Sequence, residues 1–133
     1  MIFDCRDNKF EEIKNAQQAF SEFIRLHDQI KRGLSEGSPT HDPVHIWQGI
    51  WSGDYDCFIH NESILVAELQ KTPKQMIYHT FIVAGRMDES LELLKKRKTY
   101  GLSRGADLFT GVGRRGWTKM LGLSDKLTLY TES

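Results

Sequence analysis

The sequence predicts an α+β fold, a central mixed and mostly antiparallel sheet with helices packed on it. Three observations lead there. Apolar residues recur mostly at helical spacing up to residue 34. Between 54 and 84 the period changes to that of strands, first in two short runs and then in a more continuous one. A helical stretch then connects this sheet to another strand at 106–112, which makes a βαβ unit beside a hairpin. A chain of 133 residues suits one domain with its own core and is short for two, so 1–133 is read as a single domain.

Each element has its own signal. Ile2 to Arg6 reads as a short strand. From Glu11 to Leu34 the apolar set Phe10, Ile13, Phe20, Phe23, Ile24, Leu26 and Ile30 predicts one long or two short amphipathic helices. The loop-like stretch SEGSPTHDP, Ser35 to Pro43, ends them. Asp42 then serves as N-cap with Pro43 at the first helical position, and Val44, Trp47, Ile50 and Trp51 are expected on one side of the helix that follows. DYDCFIH and SILVAELQ, joined by His60-Asn61-Glu62, read as a tight antiparallel hairpin. QMIYHTFIVAG has the continuous apolar character of a strand covered on both faces. Asp88 is expected to cap a helix reaching Tyr100, with Leu91 and Leu94 inward and Gly101 as its stop. ADLFTGV is a strand, a short helix is expected around Trp117 to Leu121, and KLTLYTE closes the chain as a strand.

Composition narrows the function. Hydrophobic residues make up 39% and aromatics 11%, enough for a packed globule. Eighteen basic residues balance eighteen acidic ones, so no overall field draws the chain to nucleic acid or to an anionic membrane, and any charged interface must be local. No apolar run approaches the ~20 residues that span a bilayer, and the N-terminal residues lack the apolar stretch of a secretion signal. A soluble protein that is intracellular when made is expected. Cys5 and Cys57 form no CxxC pair and read as reduced structural thiols.

The stretch GVGRRGW, Gly111 to Trp117, spells the GxGxxG of a dinucleotide-binding loop. Its position argues against that role. Such a loop follows the first strand of its unit and needs an acidic residue about 20 positions later, at the end of a second strand; here too little chain follows Gly116. Glycines that let the backbone turn tightly from strand to helix explain the pattern better. Arg114 and Arg115 open the expected helix, Trp117 and Leu121 supply its buried side, and Gly122-Leu123 follow.

The succession β-α-α-β-β-β-α-β-α-β, with this strand-turn-helix near its end, resembles the GNAT superfamily of acetyl-CoA-dependent N-acetyltransferases over almost the whole chain. The GRxGW variant resembles the small GNAT-like proteins of tailed bacteriophages. The resemblance implies a GNAT-like three-layer α/β/α arrangement, with a splay between the strand at 76–84 and the strand at 106–112. In that family the earlier of these strands ends in a loop of the form Gln/Arg-x-x-Gly-x-Gly/Ala, and the helix start behind it binds the coenzyme A pyrophosphate. Here the place is held by VAGRMDESLELL. Gly85 and Arg86 remain as the residues to hold a cofactor if one is bound, but the other small residues are missing, and Asp88 and Glu89 answer the helix dipole that a pyrophosphate would use. The tyrosine that often protonates the leaving thiolate in the family is absent from RRGWTKML, so no catalytic residue is assigned. Glu68 and His79 stand where a base could sit, or serve as structural groups.

Two further patterns are set aside. His41 and His45, or Cys57 and His60, match no structural zinc spacing, so no metal is expected. KKRK, Lys95 to Lys98, follows the acids Asp88, Glu89 and Glu92 along one helix as the macrodipole favours, and reads as a solvated face rather than a nucleic-acid contact. The expectation is a non-catalytic phage protein, a virion structural or assembly component with no cofactor, located in the virion and the host cytoplasm. Its partners would be other virion proteins, with self-association and a weaker nucleic-acid contact as further partners and no membrane contact. Arg114 and Arg115 are the interface candidates, and they would equally serve to solvate the turn. The alternative is an acetyl-CoA-dependent N-acetyltransferase with a diverged cofactor loop.

Overall fold

The computed structural model describes residues 1–37, 41–112 and 129–132. Strand β1 (Ile2–Asp4) is followed by a 3-10 turn at Arg6–Asn8 and by β2 (Glu11–Glu12). Helices α1 (Ala16–Arg25), α2 (His27–Gly37) and α3 (Pro43–Ser52) come next, then β3 (Asp56–His60), β4 (Ser63–Lys71), β5 (Met76–Ala84), α4 (Met87–Ser103), β6 (Leu108–Val112) and β7 (Leu129–Glu132). The strands form one seven-stranded mixed sheet in the order β2-β1-β3-β4-β5-β6-β7. The fold is α+β, and the described residues are compatible with three α/β/α layers.

Alternation along the strands divides the core in two. Cys57 and Ile59 of β3, with Ile64 and Val66 of β4, face a cluster containing Phe23, Ile30, Leu34, Ile46 and Ile50 from α1, α2 and α3. Phe58, Leu65, Ala67, Tyr78 and Phe109 face the other side, where Leu93 and Leu94 of α4 cover them. The period-2 pattern thus places helices on both faces. The β3–β4 hairpin has the expected tight turn: His60 pairs with Ser63, and Asn61 takes a φ of 52°, a left-handed value that asparagine tolerates.

β5 is antiparallel to β4 and parallel to β6. Val66 pairs with Ile82 and Ala67 with Thr80, so Phe81 is an extra residue, a β-bulge. Pairing of β5 with β6 runs from Ile77↔Leu108 to Thr80↔Gly111 and stops at that bulge. The expected splay would lie beyond these pairs, where residues 113–128 are outside the described residues.

Several expectations need correction. β1 ends at Asp4, not Arg6, because the Asp4 carboxylate accepts from the Arg6 backbone N–H (2.9 Å) and from its guanidinium (3.0 Å) and pulls the chain into a turn. Glu11 and Glu12 are not helical. They pair with Asp4 and Phe3 as an edge strand, and the helix begins at Ala16 after Asn15, whose side chain accepts from the Gln18 N–H. Of the two expected alternatives, one long or two short helices, the two short helices form, with the break at Leu26. The buried stripe is Ala19, Phe23, Leu26, Ile30 and Leu34, while Phe20 and Ile24 lie 46% and 52% exposed. In α3 the buried residues are Ile46, Gly49 and Ile50, and Val44 and Trp51 are exposed.

Gly101 does not stop α4. The helix continues to Ser103, and Gly101 is buried inside it because a β-carbon there would stand 2.7 Å from the Phe109 ring and 2.5 Å from that of Tyr78. At the helix end Arg104 Nη1 donates to Asp56 Oδ2 (2.9 Å), which also accepts from the Tyr78 hydroxyl (2.7 Å). Gly101→Ala should therefore destabilise the protein by about 1–3 kcal/mol through overpacking, against a helix-propensity gain of up to about 1 kcal/mol. Urea unfolding checks this, and a raised midpoint would mean that the two rings yield without cost.

Candidate functional site

Two places collect chemistry-bearing groups. The first is the start of α4. Gly85 adopts a φ of 127° and passes so close to Ser63 that any side chain would collide with it. The N-cap is Arg86, not Asp88 as the sequence suggests. Ser63 of the neighbouring hairpin makes the difference: its Oγ accepts from the Arg86 N–H (2.9 Å), so the helix start is capped from outside its own chain segment. Asp88 is then the second helical residue. Its carboxyl is held below the usual range by the Arg86 guanidinium (Nε–Oδ1 3.3 Å), with smaller help from nearby backbone N–H groups against a small desolvation cost. The Arg86–Asp88 pair is exposed and contributes little to stability.

Glu89 is the third helical residue and is 9% exposed. Its Oε1 accepts from Ser63 Oγ at 2.8 Å and its Oε2 from Asn61 Nδ2 at 2.9 Å. A buried carboxylate thus lies in the first turn of α4, with both oxygens bonded to the β3–β4 hairpin. The sequence names Glu89 as an acidic residue near the dipole, but Asn61 and Ser63 carry no signal of their own. They reach the helix because β4 starts beside the end of β5, with Ile64 opposite Ala84.

The second place is a cleft of about 200 Å³ lined by His41, Tyr55, Glu68, Gln70, His79 and Phe81. Glu68 and His79, separate candidates in the sequence, are direct cross-strand partners on β4 and β5. Burial lowers the pKa of His79, and the Glu68 charge offsets only part of this, so the imidazole is neutral near pH 7. Its Nδ1 is engaged with Thr110 Oγ1 at 2.8 Å, which leaves Nε2 as the nitrogen for proton transfer or hydrogen bonding. Glu68 Oε1 accepts from Gln70 Nε2 at 2.9 Å. Tyr55 and Phe81 meet edge to face, centroids 4.9 Å apart. Burial, then Glu68 and Asp54, raise the Tyr55 pKa and keep its phenol protonated. A wider space of about 500 Å³, lined in part by His45, Ser52 and Asp54, shares His41 and Tyr55 with this cleft.

The remaining candidates are dispersed. Gly85 and Arg86 belong to the α4 start. His45 is the third residue of α3, and its Nδ1 accepts from the Asp42 N–H at 3.0 Å, so it serves the helix start. Among the described residues no three His, Cys, Asp or Glu side chains come close enough together to hold a metal ion, and no helix is long and apolar enough to cross a membrane. Cys5 and Cys57 are buried free thiols, and burial pushes Cys5 up to about 12. KKRK is not uniformly a solvated face. Arg97 is fully buried, with its guanidinium carbon 5.1 Å from the Phe109 ring centre, because its position on α4 faces the sheet. Arg114, Arg115, Trp117, Leu121 and Gly122-Leu123 lie outside the described residues.

Sequence reasoning places Trp47 and Trp51 on one side of α3 without noting what they form with α1. Trp47 stacks on Trp51, with centroids 5.9 Å apart, and meets Phe20 edge-on at 5.0 Å. Trp51 is 55% exposed, and Ile24 lies one turn from Phe20. This is an aromatic patch on the surface of the two helices.

No family model, no characterised protein and no solved structure matches the chain.

The lowered pKa of His79 has a consequence for stability. The unfolded chain takes up this proton at a higher pH than the folded protein does. The contribution is therefore fully present above the ordinary histidine value of about 6.5 and is lost as pH falls below it, toward the lower folded pKa. The urea midpoint should fall between about pH 7.5 and about pH 5.5, and His79→Asn should make that fall shallower. Equal slopes for the two proteins would show that His79 titrates alike in the folded and unfolded chains.

Proposed function

We propose that this chain is a non-catalytic GNAT-like protein of a tailed bacteriophage, working as a virion structural or assembly component through contacts with other virion proteins. One observation carries the reading: the Glu89 carboxylate is built into the start of α4 and bonded there to Ser63 and Asn61. In the superfamily that this sequence resembles, the same helix start receives the coenzyme A pyrophosphate. A fixed carboxylate there opposes a second anion by charge, and Asp88 adds to it. The parallel β5-α4-β6 crossover supports the GNAT-like part of the reading. The exposed aromatic patch of Phe20, Trp47 and Trp51 supports the contact part, since aromatic residues anchor protein interfaces. Arg114 and Arg115 are the further interface residues proposed, with bidentate contacts to carboxylates as their chemistry.

A second reading, an acetyl-CoA-dependent N-acetyltransferase with a diverged cofactor loop, is favoured by one observation, the neutral His79 facing Glu68 in a cleft. Catalysis there would use His79 Nε2 as base toward an amine. Gly85 and Arg86 would then hold the cofactor.

Two measurements separate the readings. Thermal unfolding with increasing acetyl-CoA should show no saturating shift at micromolar concentration. Purified particles of the source phage should contain the protein at a stoichiometric, symmetry-related copy number, lowered by the double change Arg114→Ala and Arg115→Ala. A saturating shift together with absence from particles would move the reading to the enzyme.

A further inference from the structure

We infer that the cleft between Tyr55, Phe81 and the Glu68–His79 pair receives a guanidinium group, the side chain of an arginine on a partner protein. Charge points to a cation. The cleft contains the Glu68 carboxylate, the adjoining space contributes Asp54, and neither is lined by a lysine or arginine among the described residues. His79 adds no competing positive charge, because burial holds it neutral near pH 7. An anionic guest would meet two carboxylates and, among the described residues lining the two spaces, no lysine or arginine.

Shape and ring chemistry narrow the cation. Tyr55 and Phe81 present aromatic surfaces to the same small space, and the His41 ring lies 6.2 Å from that of Phe81. A planar, weakly hydrated guanidinium stacks on such rings while its fork of N–H donors reaches a carboxylate, whereas a compact ammonium keeps its water and gains less from the ring faces. Glu68 has the capacity: the Gln70 amide occupies one position on Oε1, and an ionised carboxylate offers about four. A volume of about 200 Å³ takes the head and last methylenes of one side chain, not a folded element. A metal ion fits poorly, since no three ligating side chains converge among the described residues.

This inference rests on the protein-contact reading only for the guest's being part of a partner protein, and its test is independent of that reading. The full chain is titrated with N-acetyl-arginine amide and, in parallel, with its citrulline and lysine counterparts, while the NMR resonances of Tyr55, His79 and Phe81 are followed. Saturable shifts with the arginine compound, none with neutral citrulline and weaker binding of lysine are expected. Glu68→Gln should weaken arginine binding about tenfold or more. Citrulline matching arginine, lysine binding as tightly as arginine, or unchanged affinity in Glu68→Gln would each overturn the assignment. The citrulline and lysine comparisons use the unaltered protein, so they decide the matter even if the variant fails to fold. Acetyl-CoA binding or absence from particles would remove the contact reading and leave this titration standing, and a silent titration would do the reverse.

Discussion

One extra residue in β5 governs much of this molecule. Before the bulge, Tyr78 faces α4. At the bulge Phe81 and Ile82 both join the cluster beneath α1, α2 and α3, so the alternation of the strand is reset. The same residue marks the end of pairing with β6. A bulge bends its strand and increases the local twist. The cleft follows from the same irregularity, since Phe81 is one of its walls and His79 lies two residues earlier in β5.

The elements legible in the sequence were those whose signal is local. The β3–β4 hairpin, α3 with its Asp42-Pro43 start, and the apolar run of β5 each carry a period or a turn within a few residues. The failures share a different cause. β2 is two glutamates with no apolar pattern, held only by backbone pairing to β1. Gly101 resembles a helix stop until Phe109 and Tyr78 are placed against it, and Arg97 resembles a surface residue until α4 is rotated onto the sheet. Tertiary packing overrode the local rule in each case.

The site was legible in its residue types and not in its arrangement. Glu68 and His79 stood out as polar groups within apolar strands, and register alone made them partners. That register follows from the turn between β4 and β5, where Lys71 pairs with Met76 and the Thr72 N–H donates to the Gln75 carbonyl. The Glu89 contacts were less accessible still. They span 26 residues to Ser63 and 28 to Asn61, and neither partner differs in type from an ordinary turn residue. A helix start whose sequence suggests capping by its own first-turn acid is completed by a hairpin from elsewhere in the chain.

The two ends of α4 are fastened to the same hairpin. At the front, Glu89 holds Asn61 and Ser63 at the turn, and at the rear Arg104 holds Asp56, the first residue of β3. A crossover fixed at one end can pivot like a lever; fixed at both, it behaves as a strut. Thermal fluctuation of the sheet must then bend β3 and carry α4 along with it, because sliding past the helix would break a charged contact at each end. The β3–β4 hairpin and α4 are thereby tied into one unit.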